Sequence, residues 1–126
     1  MAIERFYTRY FGFQRARVIP LGDWNLVFIK LGDMYLELFK TGDDRPVPAP
    51  EKDGYSFVGV RHIAFQVDNI DAVLADMGSA AKIMQGPDDF SAFIPGWRTV
   101  WLADPEGNIV EVSQGYTDQD NPPALV

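Results

Sequence analysis

Apolar residues Ile3, Phe6, Tyr7 and Tyr10 open the chain at i, i+3, i+4 and i+7, the stripe of a helix packed on one side. Gly12 follows as its stop. The stretches "RARVIP" and "WNLVFIKLGDMYLELFK" then predict three strands, the last two joined by an "LGD" turn. "TGDDRPVPAPEKDG" is rich in Pro, Gly and charge and predicts a surface connection. "RHIAFQV" alternates as a strand does, and "NIDAVLADMGSA" sets Ile70, Val73, Leu74 and Met77 on one helical stripe. "MQGPDDFSAFIPG" reads as a loop leading to the hairpin "WRTVWLADPEGNIVEVSQG", and the tail "YTDQDNPPALV" reads as polar surface.

The two halves repeat. The first helix matches the second in apolar spacing, and "LVFIKLGDMYLELF" matches "TVWLADPEGNIVEV" with one extra turn residue. Glu37 and Glu111 occupy equivalent positions near the ends of the last strands. The second half reads β-α-β-β-β and the first α-β-β-β. The counterpart of His62 would lie eight residues before Ile3, ahead of Met1. The first strand of module one is therefore missing from the pattern, either because it precedes Met1 in a longer product or because this chain dispenses with it. The expected layout is one domain over 1–126: module one at 1–42, a linker at 43–58, module two at 59–115 and a tail at 116–126.

Alternation assigns the faces. Ile63, Phe65 and Val67 share one side with Leu36, Leu38, Val110 and Val112, beneath the helices. His62, Glu37 and Glu111 fall on the other, with Phe28, Tyr35, Trp97 and Trp101. Carboxylates among apolar neighbours are costly to desolvate without compensation, and a divalent cation compensates them; one imidazole with two carboxylates suits Zn, Ni, Co, Mn or Fe. The intervals between the three match no short metal motif. Arg5, Arg9, Arg15 and Arg17 read as a solvated face, Arg98 as lying on the helix-side face or an edge, and Asp104 and Asn108 as turn residues.

At 126 residues, 47% hydrophobic and 23% charged, the chain is an ordinary globular domain. Its 11 Lys and Arg against 18 Asp and Glu give a net charge of -7, which disfavours nucleic acid and anionic membranes. The absence of cysteine excludes disulfides and thiol chemistry. No apolar run reaches membrane-spanning length, and "MAIERF" lacks the regions of a signal peptide, so a cytoplasmic location is expected.

Three segments resemble a known superfamily. "FYTRYFGF" is similar to the "FYxxxLGF" helix of the vicinal oxygen chelate proteins, the glyoxalase/bleomycin-resistance/dioxygenase superfamily. "RHIAFQVDNIDAVLADM" is similar to its "HIAFxVDDIDA" strand and helix, and "PGWRTVWLADPEGNIVEVSQ" to its "DPxGNxxEL" signature. The resemblance covers about residues 3–115. It implies an α+β fold of paired βαβββ modules forming a curved mixed sheet around a cleft. It also implies metal ligands at Glu37, His62 and Glu111, with the fourth position on the missing strand. The implied chemistry is that of a divalent-metal-dependent enzyme holding two neighbouring substrate oxygens and moving a proton through an enediolate, as a glyoxalase I-like lyase or isomerase does. Glu111 or Glu37 would carry that proton, Glu111 being favoured, and Phe28, Trp97, Trp101 and Tyr35 would contact substrate. The single histidine argues against the dioxygenase branch. The alternative is a metal-free small-molecule or drug binder of the bleomycin-resistance kind. A homodimer is expected, because a module short of one strand leaves backbone groups unpaired.

Overall fold

The computed structural model describes residues 1–125. Helix α1, Ala2–Phe11, buries Phe6, Tyr7 and Phe11, and Gly12 closes it in the left-handed region at φ 76°, its N–H donating to the Tyr7 carbonyl. Strands β1 (Gln14–Leu21), β2 (Trp24–Leu31) and β3 (Met34–Leu38) follow as an antiparallel sheet in the order β1-β2-β3. Its two hairpins turn on Gly22–Asp23 and Gly32–Asp33, with only the glycines at positive φ, 68° and 57°. Glycine at the first central position is what a type II′ turn requires.

The second sheet runs β4-β7-β6-β5. It comprises β4 (Ile63–Gln66), β5 (Lys82–Asp89), β6 (Arg98–Ala103) and β7 (Ile109–Gln114). Helix α2, Ile70–Met77, links β4 to the rest; the Asn69 side chain accepts from the Ala72 N–H at its start. β4 lies parallel to β7, and the other pairs are antiparallel. One core joins both sheets: Val27 and Ile29 from the first, Val100, Leu102, Val110 and Val112 from the second, and Ile70 from α2. Rings from the first half meet the second at Phe65, which stacks on Phe11 at 4.4 Å between centroids and also meets Tyr7 and Phe13. No helix among the described residues is long and apolar enough to cross a membrane.

The α+β class and the repeat of helix with strands stand as the pattern predicts, including the first half's α-β-β-β order. Three features differ from the sequence reading. The strands form sheets of three and four, with β3 and β4 both terminal strands, in place of one continuous curved sheet. Residues 82–89 are a strand where "MQGPDDF" suggested a loop. Gly86 and Pro87 interrupt its alternation, which an edge strand tolerates at bulges, and its register against β6 shifts twice. Arg15 is no free surface charge: it grips the buried Glu4 carboxylate through two contacts of 2.6 and 2.8 Å. Arg98 does face helix α2, pairing with Asp71 at 3.2 Å.

Candidate functional site

His62 and Glu111 lie 49 positions apart in sequence yet converge because β4 pairs with β7, Ala64 standing opposite Glu111. Nε2 of His62 is 2.8 Å from Oε2 of Glu111, and the two side chains are only 20% and 13% exposed. Nδ1 of the same ring lies 2.6 Å from the backbone carbonyl of Asp53. A carbonyl only accepts, so Nδ1 carries the ring proton and a neutral ring turns its Nε2 lone pair toward the carboxylate. Two electron pairs then face each other, and a positive species must lie between them: a proton or a metal ion. Glu111 is held from behind, Thr99 Oγ1 donating to its Oε1 at 2.9 Å.

Metal–ligand bonds of about 2.1 Å to adjacent coordination positions separate the donor atoms by about 3 Å. The His62–Glu111 pair therefore fits a divalent ion. Glu37 does not join them. It lines a cavity of about 320 Å³ together with His62, but among the described residues no three His, Asp or Glu side chains gather closely enough to hold an ion. The reason is topological: β3 and β4 share no ladder, so no backbone pairing draws Glu37 to the imidazole. Glu37 makes no hydrogen bond or ion pair to the described residues.

The expected substrate contacts divide in the same way. Trp101, opposite Glu111 in the register, sits 6.3 Å from the His62 ring, and its buried indole N–H has no partner among the described residues. Trp97 lines a second cavity of about 320 Å³ with Phe65, Glu111 and Tyr116, and its N–H donates to Ser113 Oγ at 2.7 Å. Phe90 packs against both tryptophans. Phe28 and Tyr35 lie instead on the first sheet, Phe28 opposite Glu37 in the register and Tyr35 under the Lys30 ammonium, and neither lines these two cavities.

Sequence reasoning missed three participants. Thr99 was open to discovery, since it alternates with Trp97 and Trp101 onto the site face. Asp53 was not, because it acts through its carbonyl. Asp104 is more than a turn residue: its carboxylate is 1% exposed and accepts from Tyr7 Oη at 2.8 Å. Burial, with the adjacent Asp104 charge, pushes the Tyr7 phenol well above its ordinary pKa.

The model of the Glyoxalase/Bleomycin resistance protein/Dioxygenase superfamily matches residues 2–112. The chain is similar to a glyoxalase family protein from Enterococcus faecalis, with 26% identity, a TM-score of 0.62, and 89% of this chain and 86% of that one covered. A lactoylglutathione lyase from Agrobacterium tumefaciens is similar at 27% identity and a TM-score of 0.55, with 90% and 84% covered. The fosfomycin resistance protein FosX from Listeria monocytogenes shares the fold at 12% identity and a TM-score of 0.63, with 91% and 83% covered. No curated protein sequence matches this one significantly.

Proposed function

This chain belongs to the glyoxalase/bleomycin resistance protein/dioxygenase superfamily, and from that membership we propose that it is a divalent-metal-dependent enzyme moving a proton beside a carbonyl in a small molecule with two neighbouring oxygens. The observation that carries the reading is the His62–Glu111 pair, 2.8 Å apart, with the other ring nitrogen already committed to Asp53. His62 and Glu111 would hold the ion, which when bound supplies a Lewis acid for the substrate oxygens.

The chain's own groups do the rest. Thr99 fixes the rotamer of Glu111, so that carboxylate serves as ligand. Glu37 has no such engagement and faces the cavity beside His62, so the role of proton carrier moves from Glu111 to Glu37. Trp101, opposite Glu111 in the register and 6.3 Å from the His62 ring, borders the pair. Trp97 and Tyr116 would cover the substrate's apolar part.

Calorimetry with Zn²⁺ tests this. Wild type should bind about one equivalent per chain, and His62→Ala or Glu111→Gln should weaken binding at least about tenfold, as loss of a ligand does. Glu37→Gln should keep the affinity and lose turnover. Wild-type protein that takes up no Zn²⁺, Ni²⁺, Co²⁺, Mn²⁺ or Fe²⁺ overturns the enzyme reading. The aromatic wall of Phe90, Trp97, Trp101 and Tyr116 favours a second reading in that event, a metal-free binder of flat compounds.

A further inference from the structure

We propose that Asp53 is a positioning residue for His62, a role that rests on the reading of His62 as a functional donor. One residue clamps two consecutive ones. The Asp53 carboxylate holds the Arg61 guanidinium at 2.8 and 3.1 Å, while its carbonyl accepts the Nδ1–H of His62. The Arg61 guanidinium lies beside Asp53 and holds that carboxyl below its usual range. Arg61 also donates to the Tyr55 carbonyl, closing the segment 53–61 into a clasp.

The clasp is anchored and tightly fitted. Arg45 donates to Tyr55 Oη at 2.8 Å and to the Glu106 carbonyl at 3.0 Å, tying the connecting segment to the β6–β7 turn. Gly54, at φ 129°, lies so close to Arg61 that an added Cβ would stand 2.3 Å from the Arg61 carbonyl oxygen. Any side chain there displaces the neighbouring Asp53 carbonyl.

The consequence for the imidazole is chemical. A histidine side chain free in water favours the Nε2–H tautomer, which would point a proton at the site and leave no lone pair for a ligand. The clasp selects Nδ1–H and so presents Nε2 as an electron-pair donor toward Glu111. Asp53 and Arg61 touch no substrate; they act through the ring.

His62 is the only histidine in the chain, so ¹⁵N-labelled imidazole gives one set of signals without assignment. Long-range ¹H–¹⁵N spectra of the metal-free protein read the tautomer directly, with Glu111→Gln as the common background so that no carboxylate draws the ring proton to Nε2. That parent protein is expected to be almost wholly Nδ1–H. Asp53→Ala should shift the majority to Nε2–H, whereas Asp53→Asn, which keeps an acceptor for Arg61, should retain Nδ1–H. Gly54→Ala keeps both charges of the ion pair but moves the carbonyl, and it should behave like Asp53→Ala. If either alanine variant fails to fold by tryptophan fluorescence, the other decides.

Parent tautomer ratios in both folded alanine variants, or an Nε2–H majority in the parent, overturn the proposal. Zn²⁺ calorimetry on the wild-type protein separates the two ideas: tautomer switching without Zn²⁺ uptake leaves the clasp standing and removes the metal. Zn²⁺ uptake without tautomer switching does the reverse.

Discussion

Asp104 is a buried carboxylate with no cation paired to it among the described residues, and its stability is a matter of counting donors. Besides Tyr7 Oη, the N–H groups of Glu106 and Asn108 reach its Oδ1 at 2.9 Å each, and the Asn108 amide reaches Oδ2 at 3.0 Å. Three of these donors come from its own turn, and only Tyr7 arrives from across the molecule, 97 positions away. Tyr7→Phe keeps the ring among Phe6, Phe11, Phe13 and Phe65 and removes that one donor. Because hydrogen bonds to charged groups are worth about 1.5–3 kcal/mol, denaturant unfolding should show a loss of that size with little change in slope. Asp104→Ala should cost more, since it strands the Tyr7 hydroxyl and the turn's N–H groups together. A Tyr7→Phe loss below about 0.5 kcal/mol would mean that water replaces the hydroxyl there.

Between elements, the Glu4–Arg15 pair pins the first turn of α1 to the start of β1. The Arg15 hydrogen bond is the main reason that the Glu4 carboxyl lies below its usual value, against the opposing pull of burial. A depressed folded-state pKa contributes stability that is complete above the unfolded value of 4.5 and disappears as pH falls through the folded value. Thermal unfolding should therefore show wild type above Arg15→Ala at pH 7, with the gap narrowing as pH drops below about 4.5. A constant gap down to pH 3 would deny the coupling. This pair also marks where sequence reading stops. The α1 stripe with its Gly12 stop, the Gly32–Asp33 turn and the α2 stripe are local signals, each expressed within a few residues, and all of them are legible. Arg15 meets Glu4 only because the chain reverses at Gly12 and Phe13, and the sequence carries no sign of which arginine will be chosen. Strand β5 escaped for a different reason: Gly86 and Pro87 carry a turn signal, but there they serve to bend an edge strand whose exposed pattern has no buried face to announce it.

At the scale of the whole molecule, the internal repeat is legible, and with it the convergence of His62 and Glu111. Strands β4 and β7 share one ladder, with Ala64 opposite Glu111 and His62 one residue before β4, so that pairing brings the two side chains together. Glu37 belongs to the other sheet, and a repeat equates positions within modules while saying nothing about how the modules face one another. That same arrangement bears on assembly. In the II′ hairpin at Gly32–Asp33, Met34, Leu36 and Leu38 direct their backbone groups to β2, which turns those of Tyr35 and Glu37 to the open edge of β3. Tyr35 and Phe39 are 49% and 59% exposed beside that edge, an unprotected strand of the kind that recruits another chain. We expect a homodimer joined along β3, which would also bring two copies of Glu37 to the seam. Light scattering at micromolar concentration should give twice the chain mass. Tyr35→Pro removes an outward N–H and an exposed ring while sparing the β2 ladder, so it should yield a folded monomer. Wild type of single-chain mass, or a Tyr35→Pro dimer as tight as wild type, would place the contact elsewhere or dismiss it.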